Sequence, residues 1–109
     1  MNARAVILAL FLINGDLCNT YAQETGITDP RPILALGADQ KDVLVTIDVP
    51  YSCGGNQQKT TYYLSKQHPN YDMLSNIIVS AYVTLSNVSL TYRCVVTREA
   101  YINRVTISR

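Results

Sequence analysis

The side chains here that could do chemistry are one histidine, a late pair of cysteines, a scatter of carboxylates and many tyrosines. His68 is the only imidazole, and it precedes Pro69 at what reads as the head of a helix. Nucleophilic catalysis needs a base held by an orienting acid. A single histidine in a turn offers no triad, and Glu24, Asp29, Asp39, Asp42, Asp48, Asp72 and Glu99 form no recognisable acid/base pair. Gly54-Gly55 lacks the lysine and helix start of a phosphate-binding loop. These absences point to a non-catalytic protein with no cofactor.

The three cysteines divide once the N-terminus is considered. Arg4 supplies a positive charge, Ala5 to Ile13 (AVILALFLI) is an apolar run about half as long as a bilayer crossing needs, and Asn14-Gly15-Asp16 breaks it. Residues 1–22 read as a signal peptide cut after Thr20-Tyr21-Ala22, leaving a mature domain over 23–109 and an exported, secreted or periplasmic protein. Loss of Cys18 leaves Cys53 and Cys94, an even pair that an oxidising compartment would join. With one histidine and no CxxC spacing, a disulfide fits these two thiols better than a metal site.

A net charge of +1 gives no drive toward nucleic acid or an acidic membrane. Tyr62, Tyr63 and Tyr92 could stack on bases, and Lys59, Lys66, Arg93, Arg98 and Arg104 could meet phosphates, but so balanced a charge argues against it. Seven of the eight tyrosines follow Ala22, among many Ser, Thr, Asn and Gln. Rigid amphipathic rings beside adaptable hydrogen-bonding groups suit a neutral, hydroxyl-rich ligand or a protein. Candidate ligand-binding residues are Tyr51, Ser52, Asn56 and Gln57 around the Cys53-Gly54-Gly55 turn. The same composition is also common in β-rich exported domains that bind nothing.

The elements that must position them follow from periodicity. Gln23 to Pro32 (QETGITDPRP) reads as an extended or mobile lead-in. Ile33 to Leu36 is a short apolar run closed by a turn at Gly37-Ala38-Asp39. Val43, Val45, Ile47 and Val49 alternate as a half-buried strand that Pro50 confines to an edge or an end. Thr60 to Leu64 is its β-branched and aromatic hairpin partner. Pro69-Asn70 with Asp72 starts a helix whose inner face is Leu74, Ile77, Ile78, Ala81 and Leu85, leaving Val79 and Val83 outside. After Asn87 the period changes to two, with Val88, Leu90, Tyr92 and Cys94 on one face. A last strand, Ile102 to Ser108, places Val105 and Ile107 together. Five strands with one helix between strands 3 and 4 predict an α+β β-barrel of the oligonucleotide/oligosaccharide-binding (OB) fold, with one disulfide. An open α+β sandwich is the alternative.

Met73-Leu74, Ser80-Ala81-Tyr82 and the alternating Val88 to Tyr92 resemble the helix-plus-strand segment of B subunits in the pertussis, subtilase-cytotoxin and typhoid-toxin group. A cysteine before a Gly-Gly turn, one helix and a second cysteine in the next strand also look like small secreted gammaproteobacterial proteins. The toxin resemblance implies an OB-fold homo-pentamer, a virulence factor that binds host glycan and carries a catalytic A subunit. In it Tyr92 occupies the place of a sugar-contacting tyrosine. The chain departs from that group in lacking tryptophan and in pairing Cys53 with Cys94 rather than across a short hairpin. The competing class is a monomeric periplasmic structural or inhibitory protein without a sugar site.

Overall fold

The computed structural model describes residues 25–55 and 57–108. The expected signal peptide, with Cys18, lies outside the described residues. The elements are β1 (Thr25–Ile27), β2 (Arg31–Ala38), β3 (Asp42–Tyr51), β4 (Lys59–Ser65), α1 (Tyr71–Thr84), β5 (Asn87–Cys94) and β6 (Ala100–Ser108). β2 pairs with β3, β3 with β4, β4 with β6 in parallel, β6 with β5, and β5 returns to β2. That circuit is a closed five-stranded OB-type barrel with one helix, as the order of strands and helix predicts.

The extra short strand corrects the reading of 23–32 as a lead-in. Thr25, Gly26 and Ile27 pair with Arg93, Tyr92 and Thr91, and Arg31 and Pro32 pair with Val88 and Asn87. Between them Thr28, only 5% exposed, joins Leu90. Its N–H donates to the Leu90 carbonyl at 2.9 Å and its hydroxyl accepts the Leu90 N–H at 2.9 Å. β1 and β2 are thus one barrel strand interrupted at Asp29-Pro30. Proline has no N–H for a ladder, and a bulge is where a sheet tolerates one. β2 also runs through Gly37 and Ala38, which were expected in the turn. The turn itself is made by Asp39, whose Oδ1 accepts the N–H groups of Asp42 (2.7 Å) and Lys41 (2.9 Å). These bonds, that from Asp42 first, hold the Asp39 carboxyl below its ordinary value.

β3 alternates as predicted, with Val45 and Ile47 fully buried and Val43 and Val49 partly so. Its register against β4 shifts between Thr46 and Tyr51, the stretch that contains Pro50. The helix buries Leu74, Ile78 and Ala81, and burying an Ile or Leu side chain contributes roughly 1.5–3 kcal/mol. Leu85 is not on that face. The helix stops at Thr84, and Leu85 takes a left-handed φ of 58° with its side chain 83% exposed. The N–H of Ser86 donates to the Ala81 carbonyl (2.9 Å) and that of Leu85 to Tyr82 (3.3 Å), a Schellman cap. That cap normally takes glycine; leucine there costs roughly 1 kcal/mol.

This cap turns the chain into β5, where Val88 and Leu90 are fully buried and Cys94 nearly so. In β6 the inner residues are Ala100, Ile102 and Val105, because a register shift opposite Thr91/Tyr92 skips Asn103. Ile107, expected beside Val105, reaches the rim and is 38% exposed. Among the described residues no helix is long and apolar enough to cross a membrane.

Cys53 and Cys94 form the disulfide, with Cα atoms 5.4 Å apart and a sequence separation of 41. It ties the β3–β4 loop to the end of β5. Replacing both cysteines by serine is expected to lower unfolding free energy by about 4 kcal/mol, the chain-entropy value for such a loop. Urea denaturation measures it, and a loss below about 1 kcal/mol would mean the bridge constrains little.

Candidate functional site

The proposed binding residues fall in two places. Tyr51, 4% exposed, lies inside the barrel against Tyr62 (centroids 4.8 Å apart) and Tyr92 (5.9 Å), and Tyr62 meets Tyr92 edge-on at 5.3 Å. The Tyr51 hydroxyl donates to the Thr61 carbonyl (2.8 Å) and the Tyr62 hydroxyl to Val49 (2.7 Å), so these buried phenols are satisfied. Burial raises the pKa of both, that of Tyr62 far above the ordinary value. The Tyr92 ring covers Gly26 on the paired strand, where any β-carbon would overlap it. Three tyrosines therefore fill the disulfide end of the barrel.

Ser52 and Gln57 do come together. With Gly55, Lys59, Thr97 and Arg98 they line a cleft of about 320 Å³ beside the disulfide. Asn56 lies outside the described residues. The Ser52 carbonyl accepts the Gly55 N–H, and Gly54 at φ 77° supplies the left-handed conformation this turn needs. Across the cleft Arg98 is also left-handed, at φ 69°, in the loop joining β5 to β6. His68 sits at the loop-to-helix junction, its Nδ1 accepting the Asn70 N–H at 3.0 Å.

The most developed surface is on the outer wall. Pairing sets Gly37 beside Leu44, Leu44 beside Tyr63, Tyr63 beside Tyr101 and Tyr101 beside Arg93, a belt across β2, β3, β4, β6 and β5. Nothing stands over Gly37. The Tyr63 and Tyr101 rings are stacked, with centroids 5.6 Å apart and planes 28° from parallel. The Tyr101 hydroxyl donates to Asp42 Oδ2 at 3.0 Å, and Asp42 is only 8% exposed. Asp42 and Tyr101 open onto a groove of about 1130 Å³, the largest of three described. Its walls include Lys41 before β3, Gln67 and His68 before the helix, and Val95 to Thr97 with Glu99 in the β5–β6 loop.

Electrostatics mark the same place. Burial first, and then the carboxylates Glu99, Asp42 and Asp39, raise the Tyr63 pKa. Burial, the bond to Asp42 and the charges of Asp42 and Glu99 push Tyr101 up to about 12. Sequence reasoning named Tyr63 as a stacking residue but gave no role to Tyr101 or Asp42. Strand parity puts Leu44 and Tyr63 outward. That Tyr101 lies beside them depends on the single parallel register pair joining β4 to β6.

No protein-family model matches this chain, and no curated protein does either. Fold and geometry together define a disulfide-stapled OB-type barrel with a groove, lined by Tyr101, Asp42 and Glu99, between the start of β3, the end of β4, the start of β6 and the β5–β6 loop.

The Tyr101–Asp42 pair has a measurable signature. A tyrosine ionises in the unfolded chain near 10.0, while in the folded protein Tyr101 holds its proton to about 12. Its contribution to stability is complete below the first value and is lost as pH rises through the second. Stability of the wild type should therefore fall across that interval, and less steeply in Tyr101→Phe. Equal slopes in alkaline denaturation of the two proteins would show that Tyr101 is not held neutral.

Proposed function

We propose that this is a secreted, non-catalytic binding protein, similar in role to a toxin B subunit, that recognises host glycan and assembles as a ring of identical subunits able to carry a catalytic A subunit. The observation that carries the sugar reading is Tyr101, stacked on Tyr63 and bonded to the Asp42 carboxylate, lining an open groove together with Asp42. A ring fixed by stacking offers an apolar platform to a pyranose face, and a fixed carboxylate accepts hydroxyls. OB barrels bind oligosaccharides and oligonucleotides on the face of their second and third strands, between the first-to-second and fourth-to-fifth loops. In this chain those loops are Asp39–Lys41 and Val95–Glu99, both beside the groove. The near-neutral charge favours sugar over nucleic acid.

The ring reading draws on the helix. From Met73 to Tyr92 the chain carries no charged residue, yet Met73 (64%), Val79 (50%), Val83 (71%) and Leu85 (83%) are exposed. Exposed apolar residues with so little charge around them can meet copies of this chain with little like-charge repulsion.

A glycan array with wild type, Tyr101→Ala and Tyr92→Phe, read beside native mass spectrometry, tests both parts. The expected result is a defined ring mass and a set of bound glycans that Tyr101→Ala binds about tenfold more weakly, the equivalent of roughly 1.4 kcal/mol. Tyr92→Phe, altered inside the barrel, should bind normally. A monomer with a silent array would favour the periplasmic structural or inhibitory reading instead.

A further inference from the structure

Asp42 carries an inference about which sugar the groove accepts, and it rests on the reading of that groove as a glycan site. Asp42 is only 8% exposed, and its carboxylate accepts from a neutral phenol and, among the described residues, pairs with no cationic side chain. No buried side-chain oxygen or nitrogen among the described residues lacks a partner, so the second carboxylate oxygen must reach the open groove that Asp42 lines. One carboxylate oxygen is thus held by a neutral donor, and the other is left open to the groove. That open oxygen favours a cation arriving from outside.

The surroundings point the same way. Glu99 lines the same groove, and the charges that act on the Tyr63 and Tyr101 hydroxyls are those of carboxylates. The negative face of Tyr101, which lines the groove, attracts an ammonium group. Lys41 and Arg93 also line the groove, where they can meet ligand hydroxyls or a ring oxygen. Ser65, Gln67 and Asn103 supply neutral hydrogen-bonding groups along the walls, which a polyhydroxylated ring uses and a bare alkylammonium chain does not.

We propose that the groove selects an amino sugar with a free, protonated amine: a hexosamine unit lying on Tyr101, its ammonium on Asp42 and Glu99.

The test is isothermal calorimetry of the full mature protein with a β-linked glucosamine trimer and with its fully N-acetylated counterpart, at about pH 6, where an amine of this class is charged. Expected is at least tenfold tighter binding of the free-amine trimer, a gap that narrows as salt is raised. Asp42→Asn, which keeps an acceptor for Tyr101, should close most of that gap, and Glu99→Gln part of it, with unchanged circular dichroism. Equal or tighter binding of the acetylated trimer would overturn the ammonium assignment and leave the glycan reading standing. Binding of neither trimer, with other glycans positive on the array, would likewise overturn it alone. If the array is silent as well, both readings fall. A lysine-rich peptide that binds through Asp42 while neither trimer does would replace the sugar with a basic polypeptide and overturn the proposal.

Discussion

β5 is hydrogen-bonded along both edges, and the rest of the molecule is arranged around that constraint. On one side lies β6 over its full length; on the other lie β1, Thr28 and the start of β2. Since β5 must enter the barrel with Val88 and Leu90 inward, the helix before it has to end abruptly. The chain accepts a left-handed leucine at position 85 to achieve this. At the far end of β5, Cys94 fixes the Cys53 loop, and Tyr92 closes over Gly26 and the two interior tyrosines.

The same constraint places the outer groove. β6 follows β5 through a short loop, and its first residues are brought beside β4 by one parallel register pair. That contact sets Tyr101 against Tyr63 and within reach of Asp42, which no local feature of the chain would achieve. The interior and exterior tyrosines therefore sit in separate places. Tyr51, Tyr62 and Tyr92 fill the barrel where the disulfide pins it, while Tyr101, stacked on Tyr63, faces the groove between three loops.

Much of the fold was legible in the chain because its periodicities are clean. The alternation from Val43 to Val49, and the change of period between Ala81 and Val88, fall where β3, α1 and β5 are found. The disulfide followed from counting cysteines once a leader was set aside. The closing strand was not legible, because QETGITDPRP is polar and broken by prolines. It pairs only because the Thr28 hydroxyl stands in for a backbone acceptor and a bulge absorbs Pro30. Leu85 misled because it continues the helical spacing past the residue where the cap reverses the chain. Ser52 and Gln57, expected to bind ligand at the cysteine turn, share a small cleft apart from the outer groove. Tyr51 and Tyr92 turn inward by strand parity, and the Tyr63–Tyr101–Asp42 cluster needed the barrel's closure to be seen.

Amide hydrogen exchange along β5 tests that closure most directly. The Leu90 N–H points to Thr28, so by the two-residue alternation those of Val88 and Tyr92 face the N-terminal strand, while Ser89, Thr91 and Arg93 face β6. If both edges are closed, all six amides should exchange slowly, at rates near that of global unfolding. Slow exchange at Ser89, Thr91 and Arg93 with fast exchange at Val88, Leu90 and Tyr92 would mean that this side of the barrel is open, contradicting the account.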